Sequence, residues 1–548
     1  MGSATTPDLI IFNADIRSMD ALQPRASAIA VAGGRVLALG DDAAIRALGN
    51  GRTQAIDAGG RLMLPGFQDT HIHLQDSGTG FSTSVNLERA RTVEELQRLV
   101  RDFAASRPND PWVRGVGWYS GIFGEHNLDR SVLDAAVADR PVYIYASDGH
   151  NAAMNSLGCE MTGLKRGTPD PQNGHFVLDT AGEPTGMLYE DAVDWARSRM
   201  PKRGDADYAA GVRYGQELCN RHGITGVLDA MVAERHMRVY KALDAADALT
   251  VRVCATAKVF PEEKAADALG RLEALRRDSR TPMLRMHSAK FFLDGVLENR
   301  TAVMIDDYSD AAGGNAALMF DRAHLEELFV AFDAARFQIH VHVIGDGATR
   351  TAFDCLEAAR NANGTWPSLH QLAHVQMIDP ADIPRFRSLG VVANIQPLWA
   401  RHEPSVTDVA LPMVGEDRGR WMYPWRSIIA AGAPYAVSSD WGVSTLNPFP
   451  IMQTAVTRQP ERGKRDHPVF QPQERISVAD VVRGYTVNAA AAAWRGEETG
   501  SLTPGKFADL ILLDRDIFTV DPYEIAATEV DLTLLGGREV HRSQGFAG

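Results

Sequence analysis

The chain has 548 residues, of which 45% are hydrophobic and 23% are charged, and its formal net charge at pH 7 is −14. This length exceeds one small domain and predicts either several domains or one large barrel with additions. Nucleic acids and anionic membranes repel an acidic surface, so we expect neither as a partner.

Both ends of the chain predict short β-strands separated by glycine turns. At the N-terminus we expect strands over residues 9–15, 28–32, 35–39 and about 61–64, and the C-terminal segments 502–514 and 530–540 have the same texture. Each terminal segment alone would expose an apolar face. We therefore predict that residues 1–65 and 496–548 pack together as one small β-sandwich domain.

The middle of the chain alternates short apolar strands with amphipathic helices, which is typical of parallel strands joined by crossover helices. We expect eight such strands, at 66–73, 224–229, 251–257, 287–293, 338–344, 372–376, 391–396 and 433–438. Helices are expected at 92–105, 208–222, 323–335 and 478–493. These elements predict an α/β fold with a (β/α)8 TIM-type barrel over residues 66–495. In that fold, reactive side chains gather at the C-terminal ends of the strands.

One connection in the predicted barrel is unusually long. Residues 76–220 follow the first barrel strand and exceed the length of an ordinary loop. We predict that they form an inserted subdomain that covers the active site.

His71 and His73 lie two residues apart at the end of the first predicted barrel strand. Side chains alternate along a strand, so both imidazoles lie on one face and can converge on one cation. The ends of later strands carry Lys290, His342, His374 and Asp440. We predict that all six residues hold a pair of divalent cations. An ammonium cannot be a ligand, but Lys290 carboxylated by CO2 would be an anion that neutralises part of the metal charge.

Several of these residues have alternative interpretations. His340 could replace His342 as the ligand. Lys290 could stay uncarboxylated and pair with Asp294 or Asp440. Asp440 could instead be a turn or capping residue. Trp118, Trp399 and Trp441 are candidates either for packing or for the wall of a substrate pocket.

The chain resembles the amidohydrolase superfamily, and within it the branch that includes N-substituted formamide deformylase. The matching motifs span residues 65–73, 148–150, 155–156, 182–186, 223–225, 290–295, 342–346, 374, 439–441 and 502–509. The resemblance implies a metal-bearing barrel with a terminal β-sandwich. It also implies that Asp148, His150 and Asn151 lie near the substrate, and the alternative is that they form hydrogen bonds within a loop. Gln68 departs from the pattern, because such families often have an aliphatic residue there.

The resemblance also implies an activity, the hydrolysis of a non-peptide carbon–nitrogen bond. We expect a small-molecule amide, such as an N-substituted formamide or N-acyl amine, to be cleaved by a metal-activated hydroxide with Asp440 as the catalytic acid and base. Histidine and oxygen ligands favour two zinc ions, with manganese, iron or cobalt as alternatives. A lactone or ester hydrolase could use the same site. Deaminases of the same superfamily usually have a His-X-X-Glu motif in this strand region. The segment 342–345 has a glycine in place of that glutamate, so a deaminase is disfavoured. A metal-free binding relative is also disfavoured, because such proteins have lost ligands that this chain keeps.

Cysteine use and apolar runs bear on the compartment. The four cysteines are scattered without a Cys-X-X-Cys pair, and no apolar run reaches membrane-spanning length. No signal peptide is evident at the N-terminus. We therefore expect a cytoplasmic protein, and a homodimer as the commonest assembly.

Overall fold

Eight parallel strands form a barrel in the computed structural model, which describes residues 5–123, 128–146, 151–172, 174–277, 279–310, 313–460 and 465–548. Each strand is hydrogen-bonded to the next, in the order Phe67–Ile72, Ile224–Val232, Arg252–Lys258, Leu284–Phe292, Gln338–Val343, Gln371–His374, Val392–Ile395 and Tyr435–Val437. The predicted (β/α)8 fold is confirmed. We number these barrel strands one to eight in chain order.

The first and eighth barrel strands meet through side-chain and backbone hydrogen bonds. Thr70 donates its hydroxyl to the carbonyl of Val437 at 3.4 Å. Just beyond the strand ends, the N–H of Asp440 donates to the carbonyl of His71 at 2.8 Å, and the N–H of His73 donates to the carbonyl of Trp441 at 2.7 Å. These bonds close the barrel at the end where the predicted ligands lie.

Helices follow most barrel strands, and polar caps set their ends. Asp321 accepts a hydrogen bond from the N–H of His324 at 3.0 Å and so starts the helix predicted at 323–335. The helix predicted at 478–493 is two helices, because Thr486 leaves the helical region with φ −120° and ψ −99°. The helices and helical turns after residue 204 are Asp205–Arg221, Glu234–Ala245, Ala265–Arg277, Arg322–Ala334, Asp346–Asn363, Pro380–Asp382, Ile383–Leu389, Pro397–Trp399, Ser405–Ala410, Leu411–Val414, Glu416–Gly419, Trp425–Ala430, Pro448–Thr457, Pro472–Glu474, Val478–Tyr485, Val487–Ala492 and Pro522–Ala527. Among the described residues, no helix combines the length and the apolar character needed to cross a lipid bilayer.

Two sheets at the chain termini pack face to face as a sandwich. One sheet has four strands, and the other has six strands drawn from both ends of the chain. Apolar side chains of both sheets, such as those of Ile11, Ile29, Met63, Leu510 and Leu532, fill one buried cluster between them. The strands are Leu9–Phe12, Asp15–Arg17, Arg25–Ala26, Ala28–Ala32, Arg35–Gly40, Gln54–Asp57, Leu62–Pro65, Leu510–Leu513, Val530–Leu535 and Arg538–Arg542, with one short helix, Asp42–Arg46.

Residues 74–215 form a unit of their own, and its bounds differ little from those of the predicted insertion, 76–220. It contains a six-stranded sheet made of Val85–Asn86, Val113–Trp118, Val142–Ala146, Asn151–Met154, Gly174–Leu178 and Pro184–Glu190. Its helices are Leu74–Thr83, Val93–Ser106, the 3-10 turn Ser120–Phe123, Arg130–Asp134, Ser156–Thr162 and Asp191–Arg199, besides the start of Asp205–Arg221. That this unit covers the active site stays a prediction.

Candidate metal centre

Two histidines from the first barrel strand converge on a carboxylate that follows the eighth. The Oδ1 atom of Asp440 lies 3.6 Å from Nε2 of His71 and 3.2 Å from Nε2 of His73. From the sixth strand, Nδ1 of His374 lies 4.0 Å from Oδ2 of Asp440. One ligand atom each from His71, His374 and Asp440 lie within 4.8 Å of one another, and all three residues are buried. This spacing is suited to a divalent cation.

The other two predicted ligands border this cluster. Nζ of Lys290 lies 3.3 Å from Nε2 of His71, and the lysine side chain is fully buried. The ring of His342 lies 4.5 Å from the ring of His374, measured between centroids. Within the described part of the chain, the structure pairs Lys290 with no carboxylate, neither that of Asp294 nor that of Asp440. The structure thus brings all six predicted ligands together.

Three of the histidines have a hydrogen-bond partner on one ring nitrogen. Nδ1 of His71 lies 2.8 Å from Nε2 of His340, and Nδ1 of His374 lies 3.0 Å from Oε1 of Gln396. Nε2 of His342 lies 3.1 Å from the carbonyl of Gly295. A metal-binding histidine typically donates a hydrogen bond from the N–H of its second ring nitrogen, and this bond fixes the orientation and the tautomer of the ring. Both the residue types and the hydrogen-bond partners of these candidate ligands therefore fit a metal centre.

The electrostatics keep His71 and His374 neutral and Asp440 charged. Burial, with the nearby charge of Lys290, holds the pKa of His71 well below its usual range, and burial lowers the pKa of His374 to about 4. Burial alone would raise the pKa of Asp440, but its contact with His73 and the positive charges around it lower the pKa to about 2. Neutral imidazoles and an ionised carboxylate are the states that metal binding requires.

The two remaining groups differ from that pattern. Burial lowers the pKa of Lys290 to about 7, against the attraction of Asp440. Burial also disfavours the charged form of His73, but the contact with Asp440 outweighs it, and the pKa of His73 is raised. Burial thus leaves the ammonium form of Lys290 poorly stabilised.

Two site residues have an uncommon backbone conformation. His374 and Asp440 have φ angles of 76° and 54°, in the left-handed region that few residues other than glycine adopt. Such conformations cost about 1–3 kcal/mol each and occur where the surrounding structure enforces them, often at functional sites. Here the chain turns sharply at the ends of the sixth and eighth strands and directs both side chains into the cluster.

Aromatic rings flank the histidines. The ring of Trp399 stacks on that of His374, with centroids 5.2 Å apart and an interplanar angle of 16°. The ring of Phe292 lies 5.1 Å from that of His342, measured between centroids, with an interplanar angle of 32°. Both aromatic residues are partly exposed. They therefore have an accessible apolar surface next to the candidate metal centre.

The other residues predicted to bind substrate have different positions. Trp441 is buried, and its backbone takes part in closing the barrel. Trp118 is fully buried in the apolar core of the 74–215 unit, where it packs edge-on against Phe123. Asn151 begins a strand of that unit, whereas Asp148 and His150 lie outside the described residues.

Sequence reasoning missed several residues that support the site. Gln396 and Phe292 are not among the predicted residues, although each lies at the C-terminal end of a barrel strand, the signal that indicates His374. The carboxylate of Asp294 accepts backbone N–H bonds from Val303, Ile344 and Gly345 at 2.8–3.0 Å. It thereby ties the loop after the fourth strand to the end of the fifth, next to His342.

Comparisons with known proteins identify the family of the chain. A profile of the amidohydrolase family matches residues 54–541. The chain is 28% identical to the protein LONG AFTER FAR-RED 3 of Arabidopsis thaliana, over 97% of this chain and 91% of that protein. It is 27% identical to N-substituted formamide deformylase of Arthrobacter pascens, over 97% of both chains. A solved structure of an uncharacterized metal-dependent hydrolase from Pyrococcus horikoshii shares 25% identity with a TM-score of 0.75, covering 94% of this chain and 99% of that one.

Proposed function

Because the chain belongs to the amidohydrolase family, we propose that it is a metal-dependent hydrolase that cleaves a non-peptide amide bond. The substrate class is an N-substituted formamide or another N-acyl amine. The observation that carries the proposal is the convergence of His71, His374 and Asp440, whose ligand atoms lie within 4.8 Å of one another at the C-terminal end of the barrel. The near full-length similarity to an N-substituted formamide deformylase supports the choice of bond.

The candidate ligands can be assigned to two cations. His71, His73 and Asp440 would hold one divalent cation, and His342 and His374 would hold a second. Zinc suits nitrogen and oxygen ligands best, and manganese, iron and cobalt are the alternatives. When bound, the cations supply Lewis acidity, which polarises the acyl oxygen of the substrate and lowers the pKa of water.

Lys290 completes the donor set after carboxylation. Its neutral amine attacks CO2, a nitrogen–carbon bond forms, and Nζ loses one proton to solvent, which leaves a carbamate anion. Full burial and the lack of a paired carboxylate among the described residues support this step, because both leave the ammonium form poorly stabilised. The carbamate would be a ligand shared by the two cations.

Asp440 is the residue that moves protons. It is ionised, it lies beside His71 and His73, and its buried Oδ1 has no partner with hydrogen-bond geometry within the described ranges. The carboxylate takes a proton from the attacking water and delivers it to the departing nitrogen, so that a neutral amine leaves. Trp399 and Phe292 would form the apolar walls that hold the substituent of the substrate.

The first test is the metal content of the full chain by mass spectrometry, after purification without added metal or chelator. We expect about two metal ions per chain in the parent protein, on the proposed donor set, and fewer in Lys290→Ala. Lys258→Ala is the matched control, because Lys258 lies beside Lys290 in the strand register yet is not a proposed ligand. No metal in the parent, with no uptake of added zinc or manganese, would refute the proposal.

The second test compares matched substrates. An N-substituted formamide and the formate ester of the corresponding alcohol present the same acyl group to the site. We expect the higher kcat/KM with the amide, because Asp440 is placed to protonate a departing nitrogen that leaves poorly as an anion. A clear preference for the ester would replace the amidase with an esterase on the same residues.

A further inference from the structure

We propose that His340 is a positioning residue that accepts a hydrogen bond from Nδ1 of His71 and so presents Nε2 of His71 to the metal centre. The inference rests on the proposed metal-dependent function. His340 lies on the fifth barrel strand, two residues before His342 and opposite Lys290 in the strand register. It is fully buried.

The two ring nitrogens of His71 face different partners. Nδ1 lies 2.8 Å from Nε2 of His340. On the opposite edge, Nε2 lies 3.3 Å from Nζ of Lys290 and 3.6 Å from Oδ1 of Asp440. A neutral imidazole has one donor and one acceptor nitrogen. If Nδ1 of His71 donates to His340, the lone pair on Nε2 is directed at the other ligands and is available to a cation.

The partner of His71 differs in kind from the partners of the other ligands. His342 and His374 face a carbonyl and an amide oxygen, which accept hydrogen bonds in every state. An imidazole accepts through Nε2 only when its proton is on Nδ1. In the described part of the chain, Nδ1 of His340 is buried and has no hydrogen-bond partner.

The unpartnered Nδ1 of His340 also supports a role in function. Burying this ring nitrogen without a partner costs about 1–3 kcal/mol in either tautomer, and an apolar ring of similar size would avoid the cost. His340 is therefore a poor choice for stability alone. Its presence is explained by the hydrogen bond to His71, which an apolar ring could not accept.

The structure also separates His340 from the ligands themselves. Its Nε2 is engaged by the ring of His71 at hydrogen-bond distance. The next residue on the same strand face is His342, which contacts the ring of His374 at the strand end. The interpretation of His340 as a ligand in place of His342 is thus less consistent with the geometry than a supporting role.

The experiment measures zinc affinity by competition with a chelator, using the full chain after metal removal. His340→Phe keeps a ring but removes the acceptor, and His340→Gln keeps an acceptor oxygen on a side chain long enough to reach His71. The matched control is His287→Phe, which removes another buried imidazole near the start of the fourth strand, where it stacks on Trp494. The absorption spectrum of bound Co²⁺ reports the ligand geometry in each variant.

We expect His340→Phe to bind zinc about 10- to 100-fold more weakly, the usual loss when a partner of a metal ligand is removed. The Co²⁺ spectrum of that variant should change, whereas His340→Gln and His287→Phe should resemble the parent. If His340→Phe does not fold, His340→Asn replaces it, because its shorter side chain leaves the acceptor out of reach of His71.

Two results would overturn the inference. One is a parent that binds zinc and a His340→Phe variant that binds it equally well. The other is the loss of one whole cation per chain in both His340→Phe and His340→Gln, which would make His340 a ligand. A parent that binds no metal would instead refute the proposed function itself.

Discussion

Asp440 donates its backbone N–H to the carbonyl of His71 at 2.8 Å. This bond lies where the eighth barrel strand meets the first, so the contact that closes the barrel also fixes the separation of the two side chains. The Asp440 carboxylate consequently lies 3.6 Å from Nε2 of His71 and 3.2 Å from that of His73. Because the backbone makes the contact, a change of the side chain can remove the chemistry and leave the closure in place.

Asp440→Asn tests that separation of roles. The amide has nearly the shape of the carboxylate but cannot take and return a proton, so we expect turnover of an N-substituted formamide to fall at least ~10²-fold. Metal content and the midpoint of thermal unfolding are measured alongside, since a loss of metal would also reduce turnover. Near-normal turnover with full metal content would show that another group moves the proton.

Trp399→Ala tests the proposed apolar wall. The ring is partly exposed and stacked on His374, so its removal should weaken the binding of amides with an aromatic substituent. We expect KM for such amides to rise about 2- to 12-fold, equivalent to ~0.5–1.5 kcal/mol of aromatic stacking. Trp399→Phe should retain most of the binding. An equal rise for N-methylformamide, which has no bulky substituent, would contradict a role in substrate contact.

The barrel and the convergence of the candidate ligands could be predicted because each leaves a local signal in the sequence. Buried parallel strands appear as apolar runs, and His71, Lys290, His374 and Asp440 stand out as polar residues where such runs end. Element boundaries were less accurate. The strand predicted at 9–15 is interrupted because Asn13 adopts a φ of 56°, a conformation that the apolar pattern does not reveal.

Supporting residues were harder to predict, because their role depends on a partner far away in sequence. Gln396 is an ordinary glutamine until the fold brings its oxygen to 3.0 Å from Nδ1 of His374. The sequence suggests only a ligand role for His340, because its spacing places it on the strand face of His342 and gives no indication of a contact with His71. For Trp118 the sequence allows two roles, because a large aromatic residue fits an apolar core and a pocket wall equally well. The structure places Trp118 in an apolar core.

Asp69 provides a prediction about pH. Its buried carboxylate accepts N–H bonds from His71 and Ser439 at 3.2 Å each, but burial raises its pKa to about 7. The folded state therefore keeps a proton that the unfolded chain gives up near pH 4. Stability gained from this proton is fully present below about pH 4 and is lost as the pH rises through about 7.

Asp69→Asn removes this titration. We expect the free energy of unfolding of the parent to fall relative to that of the variant by up to about 4 kcal/mol between pH 4 and 8, at 1.36 kcal/mol per pKa unit. Urea unfolding is measured for both proteins with chelator present, so that metal binding does not contribute. Parallel pH profiles would show that the carboxyl is not protonated in the folded state.

A buried ion pair joins the barrel to the sandwich. Nε and Nη2 of Arg252, in the third barrel strand, donate to the two carboxylate oxygens of Asp509 at 2.7 and 2.9 Å. Both side chains are only 4% exposed, and Asp509 also accepts the N–H of Gly536 at 2.7 Å. The guanidinium lies 3.8 Å from the ring centroid of Phe507. Removing one partner therefore leaves a buried charge uncompensated.

We expect Arg252→Met to lower the free energy of unfolding by about 3–5 kcal/mol, measured by urea denaturation at neutral pH. Adding Asp509→Asn to that variant should recover part of the loss, because the double variant no longer buries an unpaired carboxylate. Arg252→Lys should also destabilise the protein, since an ammonium keeps the charge but cannot donate the two parallel bonds. A loss below about 1 kcal/mol for Arg252→Met would be typical of an exposed pair and would mean that water reaches Asp509.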